Sequence, residues 1–556
     1  MIRVSLSLRP RSRRASVSSL VAAGLVAALL APLACAPETQ AEGPSVLLIS
    51  LDSVRGDFLT FLDAETAPNL TKLAQRGTIF TQAISGTSWT LPAHLQMFTG
   101  MPPMLHGVQE SDLRLDPMIP SLPRILRGAG YDCAGYYTCW YLNGEFGFAD
   151  GFSTYRNSMP GGEYLEKALA EALESDGDIN SRRREFEGMD RNAQASSSPT
   201  VTENAVGYLE SLDPEEPFFL FTHFFDPHFD YVPPAPYHEA FDPDYEGELT
   251  GANYWTNTSI WDPDATPQRR VSDRDLDHIR ALYRGEIAWT DASIGALLDK
   301  LEELGRLDDT LIIVTADHGD EFFEHDNRGH RRTLYDEVVH VPLLVVPPSG
   351  RATPTRISDD QVSLSDILPT ILDYANVDLP PTVYGRSLSP QIEGAPNQDR
   401  PLVTSLCVPL DDPSKGSGRA LLESLRTPEY KLLRWWTQFD GEAAPSMHLV
   451  EYFDLTTDPG EQAPLSGLNH PPVRQAWAVL EREMNDIRTR WDARAKTPLD
   501  QLSTDIQLIV GDDLAQLGYA SAGERDATPA LRRLGVAPLP PSTLTRTKAS
   551  TSGGGE

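Results

Sequence analysis

Three stretches of this 556-residue chain are apolar almost without interruption, and each closes on polar, metal-capable residues: SVLLISLD (45–52), PFFLFTHFFDPH (217–228) and TLIIVTADHGD (310–320). A strand with one wet face alternates apolar and polar residues, whereas a strand covered on both faces does not. Runs of this kind therefore predict an α/β fold, a mostly parallel central sheet covered by helices. The covering helices are legible between the runs. APNLTKLAQRG (67–77) sets Leu70, Leu73 and Ala74 on one helical face before Gly77, and RDLDHIRALYRGEIAWTDASIGALLDKLEELG (274–305) leads into the third run. The alternation defines a domain over 44–400. Beyond it, LVTSLCV, YKLLRWW and MHLVEYFDL read as short strands and VRQAWAVLEREMNDIRTRW as a helix, a small C-terminal α+β subdomain over 401–495. Residues 496–556, ending in KASTSGGGE, have the composition of an extension with a disordered end.

In an open parallel sheet the ligand crevice lies beyond the carboxyl ends of the strands. Asp52, His228, Asp317 and His318 all fall at such ends. Two segments break the alternation, the acidic 155–205 and the Pro/Asp/Asn-rich 231–273, and both read as surface insertions that shape the entrance to the crevice.

Residues 1–36 read as an export signal: MIRVSLSLRPRSRR carries five Arg and no acid, SLVAAGLVAALLAPLA follows, and Cys35 comes next. The apolar segment is too short and too poorly flanked for a membrane span. Cys35 behind Leu33-Ala34 offers a lipoprotein cleavage site. Pro32 stands where such sites favour leucine, so plain cleavage near Ala36 or Ala41 is the alternative. The expected location is periplasmic, membrane-anchored or extracellular, with membrane contact only through a lipid on Cys35. The formal charge of −33, more negative still without the basic leader, repels phosphate backbones and anionic lipid and speaks against a nucleic-acid partner. The processed chain keeps Cys133, Cys139 and Cys407, too few for a disulfide framework or a paired-cysteine metal site, with at most one bridge, Cys133 to Cys139.

Taken singly, Asp52 and Asp317 read as helix caps and His318 as an ordinary loop histidine. Taken jointly at strand ends, two carboxylates and an imidazole suit a divalent cation, with the Thr90 hydroxyl as a further ligand. Thr90 opens TLPAHLQMFTG, where Pro92 falls in the first turn of a helix that Thr90 would cap. Backbone donors and the positive end of the helix dipole would then surround its hydroxyl. This stretch alone leaves both capping and attack on a substrate open.

Over residues 44–495 the chain resembles the sulfatase family of the alkaline phosphatase superfamily. The resemblance rests on the first strand with Asp52, APNLTKLAQRGTIFTQA, TLPAHLQMFTG at the family's nucleophile signature, HFFDPHFDYVPP, TADHGDEFFEH, GHRRTLYDEVVHVPLLVV, DILPTIL, GRSL, YKLL and YFDLTTDPGEQ. It implies an alkaline phosphatase/sulfatase-like fold. It assigns Asp52, Thr90, Asp317 and His318 to a metal and Thr90 to the nucleophile. Arg55 and His223 would bind the substrate anion, His94 would be a candidate base, and His228 and His330 would stabilise its oxygens or protonate the leaving group. The chain departs from the pattern at Ser53, often a second acid, at Thr90, normally a Cys or Ser oxidised to formylglycine, and at His94, normally Arg.

The resemblance thus implies a metal-dependent hydrolase of sulfate or phosphorus esters acting on a small or glycan-linked anionic ester. The expected cofactor is one divalent ion, manganese, zinc or magnesium rather than calcium because His318 replaces an oxygen ligand. Asp226, His228 and His330 are the nearest ligands for a second ion. A plain Thr90 alcohol favours phosphodiesters or phosphonate monoesters. The alternatives are a true sulfuric ester hydrolase, a phospholipid head-group transferase, disfavoured by the lack of several membrane spans, and a catalytically inactive anion- or glycan-binding protein.

Overall fold

The computed structural model describes residues 43–158 and 197–491, apart from 111–112, 253, 255–256, 258, 262–268, 270, 352–355, 396–399, 413–414 and 443–444. The export signal with Cys35, most of the acidic insertion and the 496–556 extension lie outside the described residues.

The main sheet contains β1 (Ser45–Leu51), β2 (Thr78–Ile84), β3 (Asp132–Tyr137), β4 (Thr154–Asn157), β5 (Phe218–Phe224) and β6 (Thr310–Ala316). A two-residue hairpin, β7 (Glu321–Phe322) with β8 (Arg328–Gly329), separates β6 from β9 (His340–Val346), and β10 (Arg356–Ser363) completes the set. The spatial order is β10-β2-β9-β6-β1-β5-β3-β4, and β9 alone runs against its neighbours. The three apolar runs of the sequence are the three central strands, buried at every position. That continuous burial is why they do not alternate.

Helix Pro68–Ala74 begins where Asp291, on the long helix Asp273–Glu303, accepts the amides of Asn69 and Leu70 at 3.0 and 2.8 Å. The long helix starts at a capping box in which Ser272 and Asp275 satisfy each other's amides.

The second sheet is an antiparallel meander of β11 (Leu402–Asp412), β12 (Gly416–Arg426), β13 (Tyr430–Phe439), β14 (Ser446–Asp454) and the short β15 (Leu465–Ser466), followed by helix Pro471–Trp491. Inside it, buried Arg434 donates to Glu423 and Glu481, which joins β13 to β12 and to the helix.

The 231–273 segment is more than a surface insertion. Tyr231, Tyr254 and Trp261 are buried: Tyr231 packs on Tyr254, Tyr283 and Phe322, and the Trp261 ring lies under Arg328 and Arg332. No helix among the described residues is long and apolar enough to cross a membrane.

Candidate active site

Strand register assembles the site. Leu51 of β1 is paired with Phe224 of β5 on one side and Ala316 of β6 on the other, so the three strands end at one level. Asp52 and Asp317 are the next residues of adjacent strands. The Asp52 amide donates to Phe224 O and the Asp317 amide to Leu51 O, which carries the pairing one residue into the turn. Ser53 then adopts a left-handed conformation, φ 59°, uncommon for a residue with a side chain. There it donates its amide to Asp317 Oδ1 and its hydroxyl to Asp52 Oδ1. The serine in the second-acid position thus ties the two carboxylates together.

Gly319 follows His318. A Cβ there would lie 2.2 Å from Glu337 O, so only glycine lets the Asp317–Asp320 turn pass this close to the neighbouring backbone.

Four donor groups converge at the strand ends. His318 Nε2 lies 3.4 Å from Asp317 Oδ2, 3.8 Å from Asp52 Oδ1 and 3.3 Å from Thr90 Oγ1. Tetrahedral ligands at about 2.0–2.1 Å from an ion stand roughly 3.3–3.4 Å from one another, so this spacing suits a divalent metal. His318 Nδ1 faces Gly319 O at 3.1 Å, which puts the ring proton on Nδ1 and leaves the Nε2 lone pair toward the cluster. Asp317 Oδ2 is buried and has no hydrogen-bond partner, although Oδ1 accepts two amides. An orphaned carboxylate oxygen among other acceptors is a position for a cation. Electrostatics agree. Burial, with Asp52 beside it, raises the Asp317 pKa, and burial raises that of Asp52 against the pull of His228 and His318. Burial opposes charge on His318, but Asp317, Asp52 and Asp320 outweigh it and raise its pKa.

Thr90 does not cap its helix. The helix runs Thr90–Thr99 with Trp89 at the N-cap position and no side-chain cap, so Thr90 is the first helical residue and its hydroxyl is turned to His318. Cys133, Cys139 and Cys407 are all free, so the one admissible bridge is absent: the Cys133 thiol faces backbone carbonyls of Pro123 and Tyr131 instead.

The remaining sequence-predicted residues separate into two groups. His228 and His330 stand at the cluster, the His330 ring 4.2 Å from that of His318 and 5.0 Å from that of His228. Burial lowers the His228 pKa to about 4 and that of His330 well below the ordinary value. His223 backs the cluster, with Nε2 at 3.1 Å from Asp52 Oδ2 and a pKa lowered by burial to about 4. His94 is buried beside it with both nitrogens partnered, Nδ1 to Thr90 O and Nε2 to the Ser50 hydroxyl, each at 2.9 Å. Burial lowers its pKa to about 3, so its contacts are those of a brace under Thr90. Arg55 is nearby but committed elsewhere: it forks Asp57 and bonds Glu324 and the Asp320 carbonyl. Asp226 is also committed, since its oxygens accept Ser197 and Ser198 amides at the start of helix Ser198–Ser211. The acid that stands with His318 and His330 is Asp320, two residues beyond His318 in the ADHGD stretch and unnoticed in the sequence reading.

The family model described as sulfatase matches residues 44–377, more than half of the chain. The chain belongs to the sulfatase family. A second model, described as N-sulphoglucosamine sulphohydrolase, C-terminal, matches 324–490. Arylsulfatase K of Rattus norvegicus is 26% identical over 487 residues, covering 80% of this chain and 78% of that protein. The multifunctional alkaline phosphatase superfamily protein PehA of Trinickia caryophylli is 27% identical over 419 residues, 64% of this chain and 78% of its own length. Among solved structures, the phosphonate monoester hydrolase of Agrobacterium radiobacter shares the fold with a TM-score of 0.60 at 23% identity, over 83% of this chain and 98% of that one. This sulfatase-family hydrolase therefore combines a mostly parallel α/β sheet with an antiparallel C-terminal subdomain and carries a carboxylate–histidine cluster suited to a divalent metal at its strand ends.

Proposed function

We propose that the protein hydrolyses phosphodiesters or phosphonate monoesters through Thr90 as nucleophile, with a divalent ion held by Asp52, Asp317, His318 and Thr90. The observation that carries this reading is the approach of Thr90 Oγ1 to His318 Nε2 in a donor cluster where Asp317 Oδ2 lacks a partner. Held there, a manganese, zinc or magnesium ion, favoured by the nitrogen in the donor set, would lower the pKa of the Thr90 hydroxyl and offset charge on the ester oxygens.

Thr90 Oγ attacks phosphorus, and His228 or His330, neutral with a lone pair on Nε2, takes up the hydroxyl proton and passes it to the leaving oxygen as that bond breaks with its electron pair. Well-placed donors of this kind contribute about 3 kcal/mol each. Water then attacks the Thr90 ester and frees the hydroxyl. Formylglycine hydrate releases sulfate by C–O cleavage, an exit unavailable to a threonine. Attack of water on phosphorus suits a plain alcohol better.

A second reading, sulfuric ester hydrolysis, is favoured by the arylsulfatase K relative and by the C-terminal match to the sulphohydrolase model. Side-by-side rates on an aryl sulfate, a diaryl phosphate and an aryl phosphonate decide between them. Efficient sulfate turnover with little phosphorus activity would reject the favoured reading. Export, with a mature start between Cys35 and Glu42, belongs to the same proposal.

A further inference from the structure

The reaction written above makes no use of Asp320, yet this residue is fully buried and both of its carboxylate oxygens are engaged. Oδ1 stands 2.6 Å from His330 Nδ1, and Oδ2 accepts the Tyr231 hydroxyl at 2.5 Å. Tyr231 cannot easily turn away. Its ring is buried with centroids 5.3, 5.2 and 5.7 Å from those of Tyr254, Tyr283 and Phe322. The tyrosine lies three residues after His228, so one segment presents the first of the two histidines directly and braces the second through a carboxylate.

An ionised carboxylate only accepts hydrogen bonds, so His330 must present Nδ1–H to it, and Nε2 then carries the lone pair of the ring. The rings of His318, His228 and Phe229, with centroids at 4.2, 5.0 and 5.3 Å, fix the remaining freedom. A carboxylate that sets the tautomer and direction of an imidazole recurs in metal sites and in hydrolytic triads. We propose that Asp320, braced by Tyr231, is the positioning residue that aims His330 Nε2 at the leaving oxygen. This rests on the reading of His330 as a leaving-group residue.

The test compares wild type with H330A, D320A, D320N and Y231F, each loaded with metal, on a 4-nitrophenyl ester and an alkyl ester of the same acid. The alkyl leaving group needs a proton and the nitrophenolate does not. H330A and D320A are expected to slow kcat on the alkyl ester by about 10²–10⁴-fold while the 4-nitrophenyl ester stays within about tenfold, the scale of a lost proton donor. KM and metal content should not change. D320N keeps an oxygen for Nδ1–H and should recover part of the loss. Y231F, which deletes one oxygen and keeps the packing, should show the same selectivity in smaller measure and carries the test if D320A does not fold. Equal losses on both esters, loss of the metal, or no selectivity in any of the Asp320 and Tyr231 variants while H330A is selective would overturn the proposal. A non-selective H330A would instead remove the underlying reading of His330.

Discussion

Thr90 Oγ1 lies 3.3 Å from His318 Nε2, and His94, one helical turn on, donates from Nδ1 to the Thr90 carbonyl. The nucleophile candidate is therefore held from both ends, by the donor cluster at its hydroxyl and by an imidazole brace at its backbone. T90A should lower kcat by about 10³-fold or more while leaving the protein folded, because a nucleophile acts as a unit with its partners. T90S keeps the hydroxyl and should retain most of the rate. Steady-state kinetics on the better of the phosphorus and sulfate esters check this. Full activity in T90A would make Thr90 a packing residue at a helix start.

The donor cluster predicts one divalent ion per chain. Chelation should abolish turnover, and manganese, zinc or magnesium should restore it better than calcium, since an imidazole nitrogen belongs to the set. D317N should lose the ion, because Asp317 Oδ2 has no other partner. Elemental analysis of the purified protein measures the stoichiometry. A metal-free protein with full activity would refute this assignment.

The N-terminal reading predicts that the native protein lacks residues 1–34. Intact-mass measurement should place its first residue between Cys35 and Glu42, and a diacylglycerol mass on Cys35 would mark an anchored form. Retention of Met1 in a cytoplasmic protein would contradict it.

The parts of the fold that were legible are those where one physical demand dominates. β1, β5 and β6 are covered on both faces, so their sequences are continuously apolar and their ends, with Asp52 and Asp317, could be read directly. β3 escaped notice because DCAGYY carries Ala and Gly in mid-strand, and β12 because GSGRALLESLR opens on small polar residues and hides Glu423, whose burial is compensated by Arg434. In the site, motif positions were found and partnerships were not. Arg55 looked free for an anion, but Asp57 is only two residues away in sequence and Glu324 arrives from the hairpin. Asp226 looked available as a ligand until helix Ser198–Ser211 brought its first amides to it. Asp320 became meaningful only when tertiary structure set His330 and Tyr231 beside it.

The last prediction concerns the junction between the two sheets. Asp336, at the start of the short helix Asp336–Val339, accepts Lys431 Nζ of β13 at 2.9 Å and Arg426 Nη2 of β12 at 2.8 Å. Lys431 is fully buried and also meets Glu461 at 2.9 Å, while Glu461 accepts the Asp336 amide. Burial alone would raise the Asp336 pKa, but Lys431 and Arg426 overcome it and hold the carboxyl well below the usual carboxylate range. The unfolded chain then takes up a proton below about pH 4 that the folded chain refuses, so the stabilisation is complete above that pH and fades as pH falls further. D336N leaves Lys431 short of a counter-charge in a buried site and should cost about 3–5 kcal/mol near neutral pH. Thermal unfolding of wild type and D336N from pH 7 down to pH 3 should show a large gap in Tm at neutral pH that narrows in acid. A gap that is absent at pH 7, or constant down to pH 3, would show that this charge cluster does not hold the subdomains together.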